Sequence, residues 1–531
     1  MTAPLDAPTP DPDALPPDPP AVARYRRALG VPSRVFEYPL TPLDATGVPV
    51  WMISTWPGGE FQGGVGYGET FARARVGAWG EMAEGVAVHR LRGWPARRAS
   101  APELRAEGAP HVDPRAHRLP VGTGYRDGDA RLWVEARRFA PGTGRDGEAV
   151  WTVLDAAIAH KVNVPDGYRP LFTPITNGLG AGDTLARAAG HGMLELVQRD
   201  ASSVGYRAFD RGVVLDLGPG AARVRDAGTR ALVRHLQEGA GITLQVKLAE
   251  TPLGIPVVYV VGRERDLGRL PHPLVLTGCG EGAHPNRERA LHKALLEFAA
   301  SRVRKRFAHG PIADVAPFMP AGYVEAVRRF GIEPEETRAL DAVAEWAGLS
   351  AEAQLRRLDG TWFREAERVP FDAVPTVDAA TAEALEDPAA LAAHVAARYA
   401  DAGIDVLYVP LTEPGAEATV VRVIAPGMEV ETVTYGRIGP RNLRRLLERA
   451  RAGDPLVHPD LAGLGRPPAH GTAVPLAPEA EAALGGPAWI DLDLLEEAAG
   501  PHYAMYREPA GHVVDLTRAA REARAGAAPA A

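Results

Sequence analysis

The hydrophobic residues of this chain follow two patterns that alternate along its length. Short β-branched runs predict strands, and they include GVPVWMIS, IPVVYVVG and TVVRVIAPG. Longer segments with apolar residues three and four positions apart predict helices, among them TRALVRHLQEGA, ERALHKALLEFAASRVRKRFA and PRNLRRLLERARAG. Because strands and helices interleave throughout, the pattern predicts an α/β or mixed α+β fold rather than a helical bundle or a β-sandwich.

Both ends of the chain lack this patterning. Residues 1–24 are rich in Pro and Asp and are predicted to form a disordered leader. From about Pro455 the composition shifts to Pro, Gly and Ala, which predicts a C-terminal extension over residues 455–531 with a disordered Ala-rich tail. A chain of 531 residues exceeds the size at which one core usually stops growing, so two domains or one elaborate domain are expected.

Composition and charge exclude several classes of protein. The net charge of −8 gives no electrostatic footprint for nucleic acid or an anionic membrane. No apolar run approaches the ~18 residues of a membrane span, and no secretory signal pattern is present. The single cysteine, Cys279, excludes an internal disulfide framework and a cysteine-based zinc cluster. We therefore expect a soluble, cytoplasmic protein with no nucleic-acid or membrane partner.

A turn–helix motif occurs three times along the chain. Each copy begins with Gly-x-Gly-x-Gly, continues to a residue that can cap a helix, and carries a Glu eleven positions after the cap. We interpret the glycines as turns that aim each helix, and each Glu as lying about three helical turns in. The members are Gly64, Gly66, Gly68, Thr70 and Glu81; Gly178, Gly180, Gly182, Thr184 and Glu195; and Gly278, Gly280, Gly282, Asn286 and Glu297.

The neighbours of these three glutamates are apolar or small, so the glutamates do not lie on an obviously polar face. A single helical glutamate is more often solvated, and a fold of related α/β units with surface glutamates is the alternative. Two copies add a polar group at the neighbouring i+3 position, Glu84 and Gln198. Several acids that meet in one interior need a cation or a proton. A set of oxygen ligands predicts Mg²⁺ bridged by a polyphosphate, which is a nucleotide site.

Other nucleotide-binding and hydrolase motifs are absent from the sequence. The glycine runs lack the GxGxxG spacing of a Rossmann fingerprint, and no Walker loop or GxSxG elbow occurs. Two Arg-rich runs, SRVRKRF and GPRNLRRLLERARAG, could receive an acidic peptide or phosphates. Solvated helix faces are the preferred interpretation of both runs.

The segment ITNGLGAGDTLARAAGHGMLELVQRD, residues 175–200, resembles the central signature of the YcaO family. Segments 77–85 and 282–302 resemble the family's earlier ExxE helix and the segment that supplies its last ATP-site glutamate. VVRVIAPGME and GRIGPRNL resemble its C-terminal region. The resemblance implies a YcaO-type fold around a Mg–ATP site, with a catalytic domain over residues 25–454.

The resemblance also implies roles for individual residues, while no residue is assigned to catalysis. Asn177 and Arg199 would lie near the nucleotide phosphates. The residues that would hold Mg²⁺ are Glu81, Glu84, Glu195 and Glu297.

The chain departs from the family's pattern at four positions. Gln198 stands where a metal-binding Glu is usual; its amide oxygen can still coordinate Mg²⁺ but brings no charge. Lys293 stands where Gln is common, and it could pair with phosphate. Tyr67 and Gly85 replace a Lys and an Arg, which removes two cationic phosphate contacts.

The function that the resemblance implies is ATP- and Mg²⁺-dependent activation of a peptide backbone amide. A nucleophile adds to the carbonyl carbon, the oxyanion takes the γ-phosphoryl group of ATP, and loss of phosphate gives an azoline, a thioamide or an amidine. The expected partners are a peptide or protein substrate and a protein that presents substrate or sulfur. A homo-oligomer is a further alternative. The alternative is a divergent YcaO-fold protein that binds a peptide or partner without turning over ATP.

Overall fold

The computed structural model describes residues 9–11, 15–30, 34–57, 61–89, 95–203, 208–270, 273–310, 312–330, 344–430 and 436–502. Within these ranges, β-sheets pack against helices on several sides, which confirms the predicted mixed α+β fold. No helix in the described ranges is both long and apolar enough to cross a bilayer. The predicted Ala-rich tail lies outside them.

The strands are short, as their β-branched runs predict, and they are numbered here in chain order. They are β1 Phe36–Pro39, β2 Val50–Thr55, β3 Gln62–Tyr67, β4 Arg97–Ala99, β5 Arg131–Arg138, β6 Ala149–Val153, β7 Leu179–Gly182, β8 Val213–Asp216, β9 Ile242–Glu250, β10 Val257–Glu264, β11 Thr277–Ala283, β12 Glu367–Pro370, β13 Leu407–Pro410, β14 Thr419–Ile424, β15 Ala462–Leu464, β16 Gly471–Ala473 and β17 Ala488–Asp491.

The α-helices range from single turns to the six turns of the longest. They are α1 Pro20–Leu29, α2 Phe71–His89, α3 Ala101–Ala106, α4 Leu154–Ala157, α5 Leu185–Ser202, α6 Ala227–Arg234, α7 Arg287–His309, α8 Ile312–Val315, α9 Tyr323–Phe330, α10 Ala351–Asp359, α11 Ala379–Ala384, α12 Pro388–Asp401, α13 Pro440–Arg451, α14 Pro478–Leu484 and α15 Leu492–Ala499.

Four sheets organise these elements. Sheet I has the strand order β1-β2-β3, and sheet II has the order β4-β5-β13-β14-β7 with β6 beside β5. Sheet III has the order β11-β10-β9-β8-β12, in which β8 and β12 are parallel. A small sheet IV, β15-β17-β16, belongs to the C-terminal extension. The extension is therefore folded at least through residue 502.

The three sequence repeats are three strand–helix units, and they form a ring. Strands β3, β7 and β11 each lie at an edge of a different sheet, and each is followed by a long helix, α2, α5 or α7. Helix α2 contacts β3 and also β7, α5 contacts β7 and also β11, and α7 contacts β11 and also β3. Each helix therefore packs on its own strand and on the strand of another copy, and the third copy closes on the first.

The repeated glycines lie mainly within the strands, so their interpretation as turns that aim the helices was wrong. Glycines two residues apart on a strand share one face, and here that face lies directly against the following helix. A Cβ at Gly66 would overlap the backbone of Ala74 and Ala78. Equivalent overlaps with helix backbone occur at Gly180 and Gly280. These positions need glycine because two backbones approach too closely for any side chain.

The core lies on both sides of the repeat helices. Trp51, Trp79 and Trp133 are completely buried where α2 packs between sheets I and II. A second cluster lies between α7, α6 and sheet III, and a third lies between α5, α12 and β14. Because burial of one large apolar side chain contributes about 1.5–3 kcal/mol, these clusters fix the helices firmly against the sheets.

The N-terminal segment is ordered further toward the chain start than predicted. Helix α1 begins at Pro20, inside the segment 1–24 that was expected to be disordered, and its Val22 and Tyr25 pack with the core around α2. Buried Arg75 of α2 donates a hydrogen bond to the carbonyl of Pro16 at 3.0 Å. Apolar burial and this hydrogen bond together order a segment whose composition alone indicates disorder.

The run SRVRKRF on α7 is not simply a solvated face, which corrects the preferred interpretation. Arg302 is 1% exposed and forms ion pairs with Asp44 at 3.1 Å and Glu264 at 2.8 Å. Lys305 is equally buried and donates to a backbone carbonyl at 3.1 Å. Because α7 lies between sheets, most of its circumference is covered, and its cations are matched by acids distant in sequence.

Candidate functional site

Each repeat helix begins at the residue that the sequence predicted as its cap. The Thr70 hydroxyl accepts from the backbone N–H of Arg73 at 3.2 Å, and the Thr184 hydroxyl accepts from that of Arg187 at 3.2 Å. The Asn286 side chain accepts from the N–H of Glu288 at 2.9 Å. The caps fix where each helix starts and therefore which way its glutamate points three turns later.

The four glutamates predicted as metal ligands come close enough to perturb one another. Removal from water raises the pKa of Glu81 to about 7, and the charges of Glu195 and Glu297 add to that rise. Burial, followed by the charges of Glu81 and Glu195, raises the pKa of Glu84 well above its usual range. Burial also raises the pKa of Glu297. The ring of repeats therefore brings carboxylates from three helices to one place, as the repeat predicted.

Glu81 is more exposed to solvent than the others, although the protein around its carboxylate excludes enough water to raise its pKa. Glu84, Glu195 and Glu297 are partly buried. Because Glu81 keeps solvent contact, water screens part of the repulsion between its carboxylate and the neighbouring ones. Solvent therefore reaches the carboxylate cluster at Glu81.

Glu195 is held in place by the loop that precedes its helix. The backbone N–H of Gly178 donates to Glu195 Oε2 at 2.8 Å. Gly178 has a φ of +88°, and a Cβ there would overlap the carbonyl oxygen of Val423. The NGLG sequence thus allows a backbone conformation in which the loop donates to the carboxylate.

Cations face the carboxylates from two of the three helices. Arg199 lies 3.6 Å from Glu195 and 3.5 Å from Glu281, and Lys293 lowers the pKa of Glu297 against the effect of burial. Arg304, on α7, opposes the rise in the pKa of Glu81. Arg199 and Lys293 therefore lie beside carboxylates of the cluster. Their contact with the phosphates of a nucleotide stays a prediction.

Three of the four residues that depart from the family's pattern contact one another or a glutamate. The Tyr67 hydroxyl donates to Glu297 Oε2 at 3.0 Å. Gln198 lies between two charged groups: its Oε1 accepts from Lys293 Nζ at 3.3 Å, and its Nε2 donates to Glu281 Oε2 at 3.4 Å. Gly85 has no heavy atom within 4 Å of the place a Cβ would occupy, apart from its own helix backbone.

Sequence reasoning missed two charged residues of this cluster, Glu281 and Arg304. Glu281 lies inside the third Gly-x-Gly-x-Gly, at the position that Tyr67 occupies in the first. Arg304 lies seven residues after Glu297, which places both on one face of α7. The repeat register and the helical periodicity could have indicated both residues.

Asn177 and Asp200, at the two ends of the central signature, connect it to the C-terminal segment. The Asn177 amide donates to the carbonyl of Val430 at 2.9 Å. Buried Asp200 accepts from the N–H of Glu429 at 2.6 Å and from Arg441 at 2.9 Å. Asn177 is thereby fixed directly before Gly178, the residue whose backbone N–H donates to Glu195. Its placement near phosphates stays a prediction.

The donor set fits Mg²⁺ bound together with phosphate. Within the described ranges, no group of three or more His, Cys, Asp or Glu side chains is arranged to hold one metal ion. Mg²⁺ usually takes only one or two carboxylates and completes its shell with waters and phosphates, so a preformed cage is not required. Burial is the largest cause of the raised pKa values of Glu81, Glu84 and Glu297, and neighbouring carboxylates add to each rise, which a bound cation would oppose. The individual ligand roles stay predictions.

The chain belongs to the YcaO family. The family model, described as "YcaO cyclodehydratase, ATP- and Mg²⁺-binding", matches residues 65–429, which confirms the resemblance and agrees with the predicted cofactors.

Two curated relatives are similar to this chain. An uncharacterised protein of Methanothermobacter thermautotrophicus is 28% identical over 415 residues, which cover 76% of this chain and 91% of the relative. An uncharacterised protein encoded in the tfuA 3′ region of Rhizobium leguminosarum bv. trifolii is 27% identical, over 51% of this chain and 57% of the relative. Neither relative's name assigns it an activity.

Two solved structures share the fold. The Methanopyrus kandleri YcaO, bound with AMPPCP and Mg²⁺, has a TM-score of 0.51 and 22% identity, covering 78% of this chain and 91% of its own. A heterocyclase in complex with substrate and cofactor has a TM-score of 0.53 and 17% identity, covering 77% of this chain and 52% of its own. At these identities the likeness shows the fold.

Proposed function

We propose that this chain uses ATP and Mg²⁺ to activate a backbone amide of a peptide or protein substrate, for cyclodehydration, thioamidation or a related modification. The observation that carries the proposal is the meeting of carboxylates from three repeat helices in one cluster. Membership of a family described as ATP- and Mg²⁺-binding supports it. So does the shared fold of a YcaO solved with an ATP analogue and Mg²⁺.

The cluster supplies the charges that phosphoryl transfer requires. When bound, Mg–ATP supplies the phosphoryl group that makes the amide oxygen a leaving group. Glu81, Glu84, Glu195 and Glu297 would hold the metal. Their own positions are set by the three helix caps and by the Gly178 N–H, so they need little reorganisation when ligand arrives.

The cations would contact the nucleotide. Arg199 and Lys293 each lie beside a carboxylate of the cluster and present donors that could stabilise negative charge on transferring phosphoryl oxygens. The side-chain amides of Asn177 and Gln198 would add contacts to the nucleotide beside Arg199 and Lys293. A peptide substrate is an expected partner, and a structural neighbour that is a heterocyclase solved with its substrate supports it. A protein that presents the substrate or supplies sulfur is the other expected partner.

Thermal unfolding with and without Mg–ATP tests nucleotide binding. A ligand present at a hundred times its dissociation constant adds about 2.7 kcal/mol of stability, so the wild-type unfolding temperature should rise. Glu195→Gln should lose most of that rise, while Glu479→Gln, on the exposed face of α14, should keep it. A wild-type chain that Mg–ATP does not stabilise would refute the proposal.

A second candidate is a divergent YcaO-fold protein that binds a peptide or partner without turnover. The observation that favours it is internal pairing at the cluster, where Tyr67 bonds Glu297 and Gln198 lies between Lys293 and Glu281. Candidate peptides encoded by neighbouring genes should be mixed with the chain and Mg–ATP. Release of ADP and phosphate with one of them excludes the second candidate; nucleotide binding without release from any supports it.

A further inference from the structure

One position of the repeat reaches across the ring in every copy. The residue between the second and third glycines is Tyr67, Ala181 or Glu281. Because the flanking glycines face the helix of their own copy, this residue lies on the opposite face of the strand.

Each of these three residues contacts a cluster residue on the helix of another copy. The Tyr67 hydroxyl donates to Glu297 on α7, and the Ala181 backbone hydrogen-bonds Glu84 on α2. Glu281 accepts from Gln198 on α5. The pattern follows the order in which the strands and helices of the ring contact one another. In each repeat, therefore, the residue between the second and third glycines hydrogen-bonds a polar side chain on the helix of another repeat.

The second copy differs from the first in its charge. Helix α2 carries two carboxylates three residues apart, Glu81 and Glu84, whereas α5 carries Glu195 and then the neutral Gln198 in the same register. Glu281 lies at the place where that charge is missing. Its carboxylate is 3.4 Å from the Gln198 amide nitrogen and 3.5 Å from Arg199, and it is only 4% exposed.

The orientation of the Gln198 amide also assigns the anionic role to Glu281. The amide oxygen, the only atom of Gln198 that could bind a cation, already accepts from the Lys293 ammonium at 3.3 Å. The amide nitrogen faces Glu281. The negative charge of Glu281 also raises the pKa of Glu297, which shows that the two carboxylates interact.

We propose that Glu281, on strand β11 of the third repeat, supplies the carboxylate that α5 of the second repeat lacks at position 198. Residues of two repeats within one chain would then bind Mg²⁺ together. This inference rests on the proposed function. Glu281 either joins the metal's shell through its own oxygen or acts through a bound water, and in both cases its negative charge is what the site uses. An amide of the same shape should not replace it.

The test is equilibrium ATP binding by calorimetry, with Mg²⁺ and without it, in the full-length chain. Glu281→Gln keeps the shape of the side chain and one acceptor oxygen, replaces the other oxygen by a donor NH2 group, and removes the charge. We expect Mg–ATP affinity to fall by about 10- to 100-fold, as is usual when a group supporting a metal is changed. Metal-free ATP, itself an anion, should bind as in the wild type or more tightly.

The exchange variant Gln198→Glu/Glu281→Gln moves the charge back to the helix. It should restore Mg–ATP affinity to within about threefold of the wild-type value. The double variant keeps one carboxylate and one amide in contact. If Glu281→Gln alone fails to fold, the Mg–ATP affinity of the double variant is compared with that of the wild type instead.

Three results would overturn the inference. They are wild-type Mg–ATP affinity in Glu281→Gln, an equal loss of affinity with and without Mg²⁺, and failure of the exchange variant to recover. The second would mean that Glu281 merely positions Arg199. In all three cases the wild-type chain binds Mg–ATP, so the proposed function survives; a wild-type chain that binds none refutes both.

Discussion

Replacement of Gly66 by alanine tests whether the repeated glycines are needed for strand–helix contact. The new Cβ would overlap backbone atoms of Ala74 and Ala78 on α2, and backbone cannot rotate away as a side chain can. Overpacking a core costs about 1–3 kcal/mol when side chains can adjust, so we expect a loss near or above about 3 kcal/mol.

The matched control is Gly85→Ala, on α2, the helix that packs against Gly66. A Cβ at Gly85 meets nothing within 4 Å, and its φ is not in the left-handed region. Alanine is favoured over glycine in a helix interior by about 0.5–1 kcal/mol, so this variant should be more stable than the wild type. The two Gly→Ala changes therefore have opposite predicted signs.

The assay is urea unfolding followed by circular dichroism, with the midpoint and slope fitted for each variant. Gly66→Ala should lower the midpoint clearly and Gly85→Ala should raise it slightly. A Gly66→Ala protein as stable as the wild type would show that β3 and α2 can separate at little cost. The argument for close backbone contact in all three repeats would then fail.

Two further predictions concern buried charge away from the cluster. Arg302→Leu leaves Asp44 and Glu264 without their shared buried cation and should destabilise the chain by about 3–5 kcal/mol in thermal unfolding. Arg356→Leu, on the exposed face of α10, should change the stability little. Equal effects of the two substitutions would contradict the argument. Burial lowers the pKa of His117 to about 3 from 6.5, so the unfolded chain binds this proton first, and the stability the neutral ring contributes is complete above pH 6.5 and lost as pH falls toward 3. The urea midpoint of His117→Gln should therefore fall less steeply below pH 6.5 than the wild-type midpoint, and parallel slopes would refute this assignment.

Local signals in the sequence were sufficient for the repeat helices and their glutamates. The caps Thr70, Thr184 and Asn286 and the common register of Glu81, Glu195 and Glu297 are short-range features, and they determine where each helix starts and which face it presents. A convergent site then followed from the chemistry of several carboxylates. The fold class followed in the same way from hydrophobic period.

Long-range features of the ring could not be predicted from the same signals. The glycine spacing of two residues is a strand signal, but only the packing of β3 on α2 shows that a side chain is excluded there. The contact of Glu281 with Gln198 depends on which copy neighbours which, and no local pattern fixes that order. Burial of Arg302 depends on Asp44, which is more than 250 residues away in the chain.

The ordered N-terminal segment has a practical consequence for how the chain is shortened in experiments. A deletion of residues 1–24, suggested by composition, would remove half of α1 and the carbonyl that Arg75 holds. It would also disturb Tyr25, whose pKa is raised by burial and by the nearby charge of Glu84. A shortened protein that fails to bind nucleotide would therefore report on damage to the cluster's surroundings, and the full-length chain is the proper material for binding measurements.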